Sequence, residues 1–161
     1  MEFSAAYSSP LKRALNTAQA IASHHQLAVQ IEPDLREIDV GEFEGVAIDN
    51  LDTNFSQLLI HWEQGEGSAR LPGGESLTDL GDRAWSTIQH ILDTHKQGVI
   101  AVVSHYFVTS AIICKALGIP FNHVGRFRVQ VGSISILDFA DKRPRLTVLG
   151  DTCHLTEVNF G

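Results

Sequence analysis

The apolar positions of this chain follow two rhythms. Short, nearly continuous runs alternate with segments whose apolar residues recur every three or four positions. "FSAAYSS" (3–9) reads as a short buried strand. It leads into a predicted helix with Ser9 as N-cap, Pro10 at the first helical position, and Leu11, Leu15, Ala18, Ile21 and Ala22 as its stripe. "LAVQIEP" (27–33) alternates like a strand and stops at Pro33. "LREIDVGEFEG" (35–45), closed by glycines, predicts a structured loop. A helix is expected over "NLDTNFSQLLIHWEQ" (50–64), followed by a glycine-rich connection, "GEGSARLPGG" (65–74).

The second half continues the alternation. "SLTDLGDRAWSTIQHILDTHK" (76–96) opens on a Ser76–Asp79 capping box and carries a stripe through Leu80, Ala84, Ile88 and Leu92. "GVIAVVS" (98–104) has the unbroken apolar character of a strand covered on both faces in a parallel sheet. "HYFVTSAIICKALG" (105–118) predicts a helix ending at Gly118, and "RFRVQVG" (126–132), "SISILDF" (133–139) and "RLTVLG" (145–150) predict closing strands. Strand, helix, strand, helix is the order of an α/β domain with right-handed crossovers.

Composition narrows the classes. With 161 residues and no repeat or low-complexity tract, residues 1–161 read as one domain. A net charge of −7 argues against nucleic acid or an anionic membrane as a partner. No apolar run reaches the roughly 20 residues of a membrane span. The start of the sequence has no secretory pattern, and its two cysteines, Cys114 and Cys153, lack metal-ligand spacing; both features point to the cytoplasm. The histidines show no paired spacing for a metal either.

Candidate chemistry sits at two strand-to-helix junctions. In open α/β sheets ligands bind beyond the carboxyl ends of the strands, where helix N-termini present free N–H groups. Arg13 lies in the first turn after "AAYSS", and His105 follows "IAVVS" directly. If the two strands are parallel neighbours, both side chains emerge on one edge, and a guanidinium fork there suits a phosphate or carboxylate. Taken singly, each residue has a plainer reading. Arg13 fits a solvated surface charge, His105 a hydrogen-bonded structural residue, and Glu75 of "PGGES" a complement to the next helix dipole. Glu37, Glu42 and Glu44 form a carboxylate cluster that reads as a loop.

Together, "YSSPLKRALNTAQAIA", "LREIDVGEFEG", "PGGESL" with Arg83, "VVSH" and "GDTCHL" resemble, in order and spacing, the histidine phosphatase superfamily, the phosphoglycerate-mutase-like family. The resemblance spans nearly the whole chain. It implies a three-layer α/β/α fold with a mostly parallel sheet, and phosphoryl transfer through a phosphohistidine on a small phosphorylated metabolite. Arg13 would clamp phosphate, with Gly74 and Ser104 also substrate-binding. His105 would hydrogen-bond the transferred group, and Glu75 would give a proton to the leaving oxygen. No metal or other cofactor is implied, since guanidinium and imidazolium supply the positive charge. The short stretch between "EFEG" and "PGGES" favours phosphatase over mutase, with a weak likeness to the α-ribazole phosphatase and fructose-2,6-bisphosphatase-like branch.

One part of the family pattern has no counterpart. Family members begin with a strand ending in Arg-His-Gly, whose His is the nucleophile, and no Arg-His or His-Gly pair occurs here. The expectation is therefore a family fold with its first strand missing, inactive as it stands, with a non-catalytic phosphate-binding or protein-interaction module as the alternative. A missing interior strand would leave backbone groups unpaired and the apolar faces of "FSAAYSS" and "GVIAVVS" uncovered. Closure is expected by a shift of strands, by an inserted terminal segment or by homodimerisation. Tyr106 is a further departure: the family usually has small residues after the pocket histidine, so a bulky ring narrows the pocket or contacts the leaving group.

Overall fold

The computed structural model describes residues 2–46, 57, 60–62, 64, 66–141 and 143–155. Three strands form a parallel sheet: β1 (Ala5–Ser8), β2 (Val29–Ile31) and β3 (Ile100–Val103), in the order β2-β1-β3. β1 lies in the middle, with Ala6 opposite Val29 on one side and Ala101 on the other. Among the described residues the helices α1 (Lys12–His24), α2 (Leu77–Thr94) and α3 (Tyr106–Leu117) flank the sheet. A second, antiparallel sheet pairs β4 (Ile134–Asp138) with β5 (Arg145–Asp151).

The pleat of β1 makes the layers. Successive side chains point to opposite faces. Ala5 and Tyr7 join Leu80, Ala84 and Ile88 of α2 and Val108 and Ala111 of α3 in the main core. Ala6 turns the other way, onto Ala22 of α1 and Ala101. With helices on both faces, this is the expected α/β/α arrangement. Alanine fills the α1 side, where Ala14, Ala18 and Ala22 are all buried. At the far end, the Tyr7 hydroxyl is 2.8 Å from His95 Nε2 and ties β1 to the end of α2.

The predicted capping box is present: Ser76 Oγ accepts from Asp79 N, and the Asp79 carboxylate accepts from Ser76 N. α3 ends where expected, on Gly118 in the left-handed region at φ 66°. "LREIDVGEFEG" is a loop of two short 3-10 turns, Pro33–Leu35 and Gly41–Phe43. Most of the helix expected over 50–64 lies outside the described residues; Gln57 and residues 60–62 are helical.

Three expectations need correction. α1 starts at Lys12 with Leu11 as N-cap, because the Ser9 hydroxyl meets His105 and the Leu11 N–H before the helix begins. "RFRVQVG" is not a strand: Phe121–Arg126 is a 3-10 turn, and Val131 is 98% exposed. "FSAAYSS" is not left uncovered, since all four residues of β1 are buried and it pairs directly with β3.

The opening lies beyond β3 instead. Among the described residues β3 pairs only with β1, and β4 only with β5. Between β3 and β4 runs a cleft of about 190 Å³, lined by Ile88, Ile91, Val102, Ile112, Leu137 and Phe139 among others. The expected shift of strands has not closed it.

Candidate functional site

β1 and β3 run parallel and in register, Ser8 opposite Val103, and Ser9 N extends the ladder to Val103 O at 3.0 Å. The chain therefore leaves both strands at the same edge. Ser9 and His105 stand side by side there, with His105 Nε2 2.7 Å from Ser9 Oγ and both residues buried. Ser9 Oγ also accepts from Leu11 N at 3.2 Å, so the hydroxyl that would have capped α1 fixes the imidazole. Burial, with the charges of Arg13 and Arg83 added, drives the His105 pKa down to about 4. The ring is neutral at pH 7 in the free protein.

Arg13 is exposed on the first turn of α1 and makes no ion pair among the described residues. Its charge reaches both His105 and Glu37. A cation with no ion pair among the described residues, beside a buried neutral imidazole at two helix starts, is a place for an anion.

The two glutamates differ sharply. Glu75 is held by Arg83: Nε donates to Oε1 and Nη2 to Oε2, each at 2.7 Å, and Asp39 N adds a bond at 3.0 Å. Burial alone would raise the Glu75 pKa, but these hydrogen bonds and the Arg83 and Arg36 charges outweigh it and hold the carboxyl below its usual range. A carboxylate so paired is a poor proton donor at neutral pH. For Glu37 burial wins. Hydrogen bonds from the Ile38 and Phe107 N–H groups and the charges of Arg13 and Arg83 only partly offset it, and the pKa is raised. Its Oε2 lies 3.5 Å from Phe107 N in the first turn of α3, two residues beyond His105.

Arg83 is what aims that loop. Its Nη1 donates to Asp34 O at 2.6 Å and Arg36 O at 2.8 Å, and Nη2 to Glu37 O at 3.2 Å. Ser104 Oγ donates to Leu35 O at 2.7 Å, a second tie from β3 to the same loop. Gly74 sits against this loop as well: its N–H donates to Leu71 O, and a Cβ there would collide with the Asp39 carbonyl oxygen. Arg13 and His105 thus share one corner, while Ser104, Gly74 and Glu75 brace the loop beside it. Glu37 lies in the expected loop, and the sequence does not single it out from Glu42 and Glu44. The available signal was its place between Leu35 and Ile38, both of which are buried.

The sequence model of the histidine phosphatase superfamily (branch 1) matches residues 1–152. This chain belongs to that superfamily. It is 30% identical over 151 residues to phosphoserine phosphatase 1 of Hydrogenobacter thermophilus, a match covering 94% of this chain and 72% of the relative. Among solved structures, a mutant phosphoserine phosphatase of Entamoeba histolytica in complex with phosphoserine superposes with a TM-score of 0.84 at 27% identity, covering 95% of this chain and 76% of that one. The α-ribazole phosphatase of Shigella flexneri superposes with a TM-score of 0.77 at 27% identity, covering 94% and 75%. As a histidine phosphatase superfamily member with phosphatase relatives, the chain has a phosphoglycerate-mutase-like fold, and no helix among its described residues is long and apolar enough to cross a membrane.

Proposed function

We propose that these 161 residues carry the anion-binding and proton-donating parts of a phosphomonoesterase site, and bind a small phosphorylated metabolite or inorganic phosphate without turning it over. The observation that carries this reading is the Arg13 guanidinium, free of ion pairs among the described residues, beside the buried His105. Arg13 offers two parallel donors to phosphoryl oxygens. His105, fixed by Ser9, hydrogen-bonds the same group, and the dianion draws a proton onto the ring by favouring its charged form.

Glu37 takes the acid role in preference to Glu75. Glu37 reaches the first turn of α3 beside His105, with Oε2 3.5 Å from Phe107 N, and burial shifts its pKa upward, whereas Glu75 is held low by its pairing with Arg83. Ser104 and Gly74 act through the loop that holds Glu37. Within these 161 residues the histidine nucleophile that the family resemblance implies has no counterpart, since no Arg-His pair occurs. His105 assists and does not attack.

Calorimetric titration with inorganic phosphate at pH 7 tests the site. Binding is expected, and Arg13→Ala should weaken it tenfold or more, since a charge-assisted hydrogen bond contributes roughly 1.5–3 kcal/mol. An aryl phosphate should be hydrolysed no faster than by His105→Ala. Undiminished binding by Arg13→Ala would remove the anion site, and phosphate trapped on any histidine of this chain would remove the claim of no turnover.

A further inference from the structure

Tyr106 is the first residue of α3, directly between His105 and Phe107. Its backbone therefore follows the buried His105 and precedes Phe107, whose N lies 3.5 Å from Glu37 Oε2. Its side chain is large and substantially exposed, at 37%. The phenol has no hydrogen-bond partner among the described residues.

The ring nevertheless rests on a firm base. Tyr106 meets Phe107 edge to face, with centroids 5.1 Å apart and planes at 76°. Phe107 meets Trp62 in the same way at 6.3 Å and 73°. Trp62 is buried in the core, and its indole N–H donates to Ala69 O at 2.7 Å. Three aromatic rings thus run from the core to the exposed start of α3, which limits how far the outermost can swing.

A leaving oxygen that takes its proton from Glu37 must lie within hydrogen-bond reach of that carboxyl. With the phosphoryl group on Arg13 and His105, the alcohol portion of the ester departs across the first turn of α3. The exposed side chain there is Tyr106.

We infer that Tyr106 is a specificity-determining residue that selects phosphomonoesters whose alcohol portion carries a flat aromatic or heteroaromatic ring next to the ester oxygen. The inference rests on the proposed roles of Arg13, His105 and Glu37. A ring already held in place loses little freedom on binding, so offset or edge-to-face contact with a second ring adds to affinity. A small aliphatic alcohol covers less of it and gains less.

Calorimetric titration of the full chain with inorganic phosphate, glycerol 3-phosphate and phenyl phosphate tests this. Phenyl phosphate is expected to bind about five- to tenfold more tightly than glycerol 3-phosphate. Tyr106→Ala should abolish that advantage and leave inorganic phosphate within about twofold of wild type, whereas Tyr106→Phe should keep the advantage, because the ring and not the hydroxyl makes the contact. The inference is overturned if phenyl phosphate binds no more tightly than glycerol 3-phosphate, or if Tyr106→Ala weakens all three ligands equally. A wild-type chain that binds none of the three overturns the anion site itself, and the inference with it.

Discussion

The parallel sheet and the β4–β5 hairpin are built from similar residues and live in different surroundings. β1 buries all four of its residues between two parallel partners, with helices on both faces. No residue of β4 or β5 is buried, although "SISILDF" and "RLTVLG" are as rich in branched apolar residues as a covered strand. Among the described residues Leu137 and Phe139 of the hairpin pack against the core, and Ser135, Leu137 and Phe139 line the cleft that borders β3. An apolar run shows that a strand is suited to cover. It does not show that its neighbours supply that cover.

The largest effect expected from this contrast is on the parallel side. Arg83→Ala removes donors from the carbonyls of Asp34, Arg36 and Glu37 and from both oxygens of Glu75. The Glu75 side chain is only 12% exposed, so its charge would be left poorly solvated. Breaking such a pair costs about 3–5 kcal/mol, a fall in Tm of roughly 6–20 °C for a domain of this size. Thermal melts followed by circular dichroism would check this. A loss below 2 °C would mean that the pair is solvated and that the loop is held by other contacts.

The parallel side was also the more legible half in the sequence. The capping box, the Gly118 stop and the strand-to-helix junctions are local signals, and each led to the observed element. Arg13 and His105 fell on one edge because two short buried runs, each followed by a helix, admit few other arrangements. What could not be read depended on contacts distant in sequence. Ser9 looked like a cap because its partner His105 is 96 positions away. Which carboxyl is paired could not be read either, because Arg83 holds both oxygens of Glu75 and reaches the Glu37 carbonyl across 46 positions. "RFRVQVG" alternated like a strand, yet Arg128 runs past Gly150, where a Cβ would collide with the Arg128 carbonyl oxygen.

A smaller effect should appear in the pH dependence of the same side. His105 titrates near 4 in the fold, against an ordinary value of 6.5. The unfolded chain therefore takes up the proton first as pH falls. This contribution to stability is complete above about pH 6.5 and declines toward pH 4. Glu37 has the opposite sign: its raised pKa contributes fully below 4.5 and is lost as pH rises through the folded value. Glu75, held low, loses its contribution only as pH falls below its ordinary 4.5. Subtracting the Tm of His105→Gln from that of wild type isolates the histidine. The difference should be flat above pH 7 and become less favourable to wild type between pH 6.5 and 4. Saturating phosphate should flatten that decline. A difference independent of pH would place His105 in contact with water and away from the two arginines.

The smallest effect belongs to the hairpin. Arg145 at the start of β5 pairs with Asp141, and the two side chains are 66% and 61% exposed. On chemistry alone this pair and Arg83–Glu75 look alike, each an arginine beside a carboxylate. Their surroundings separate them. Water solvates both partners of the exposed pair whether or not they meet, and holding two long side chains together costs rotamer freedom that offsets the attraction. Arg145 opposes Asp138 across the ladder, but the pairing there is made by the backbone and survives truncation of the side chain. Arg145→Ala should therefore change stability by no more than about 0.5 kcal/mol, within roughly 2 °C in Tm. Added salt should leave the variant and wild type nearly equal, because most of the attraction is already screened. A loss of several degrees would mean that the hairpin is held by its charges as firmly as the parallel side is, and the contrast between the two halves would lose its electrostatic basis.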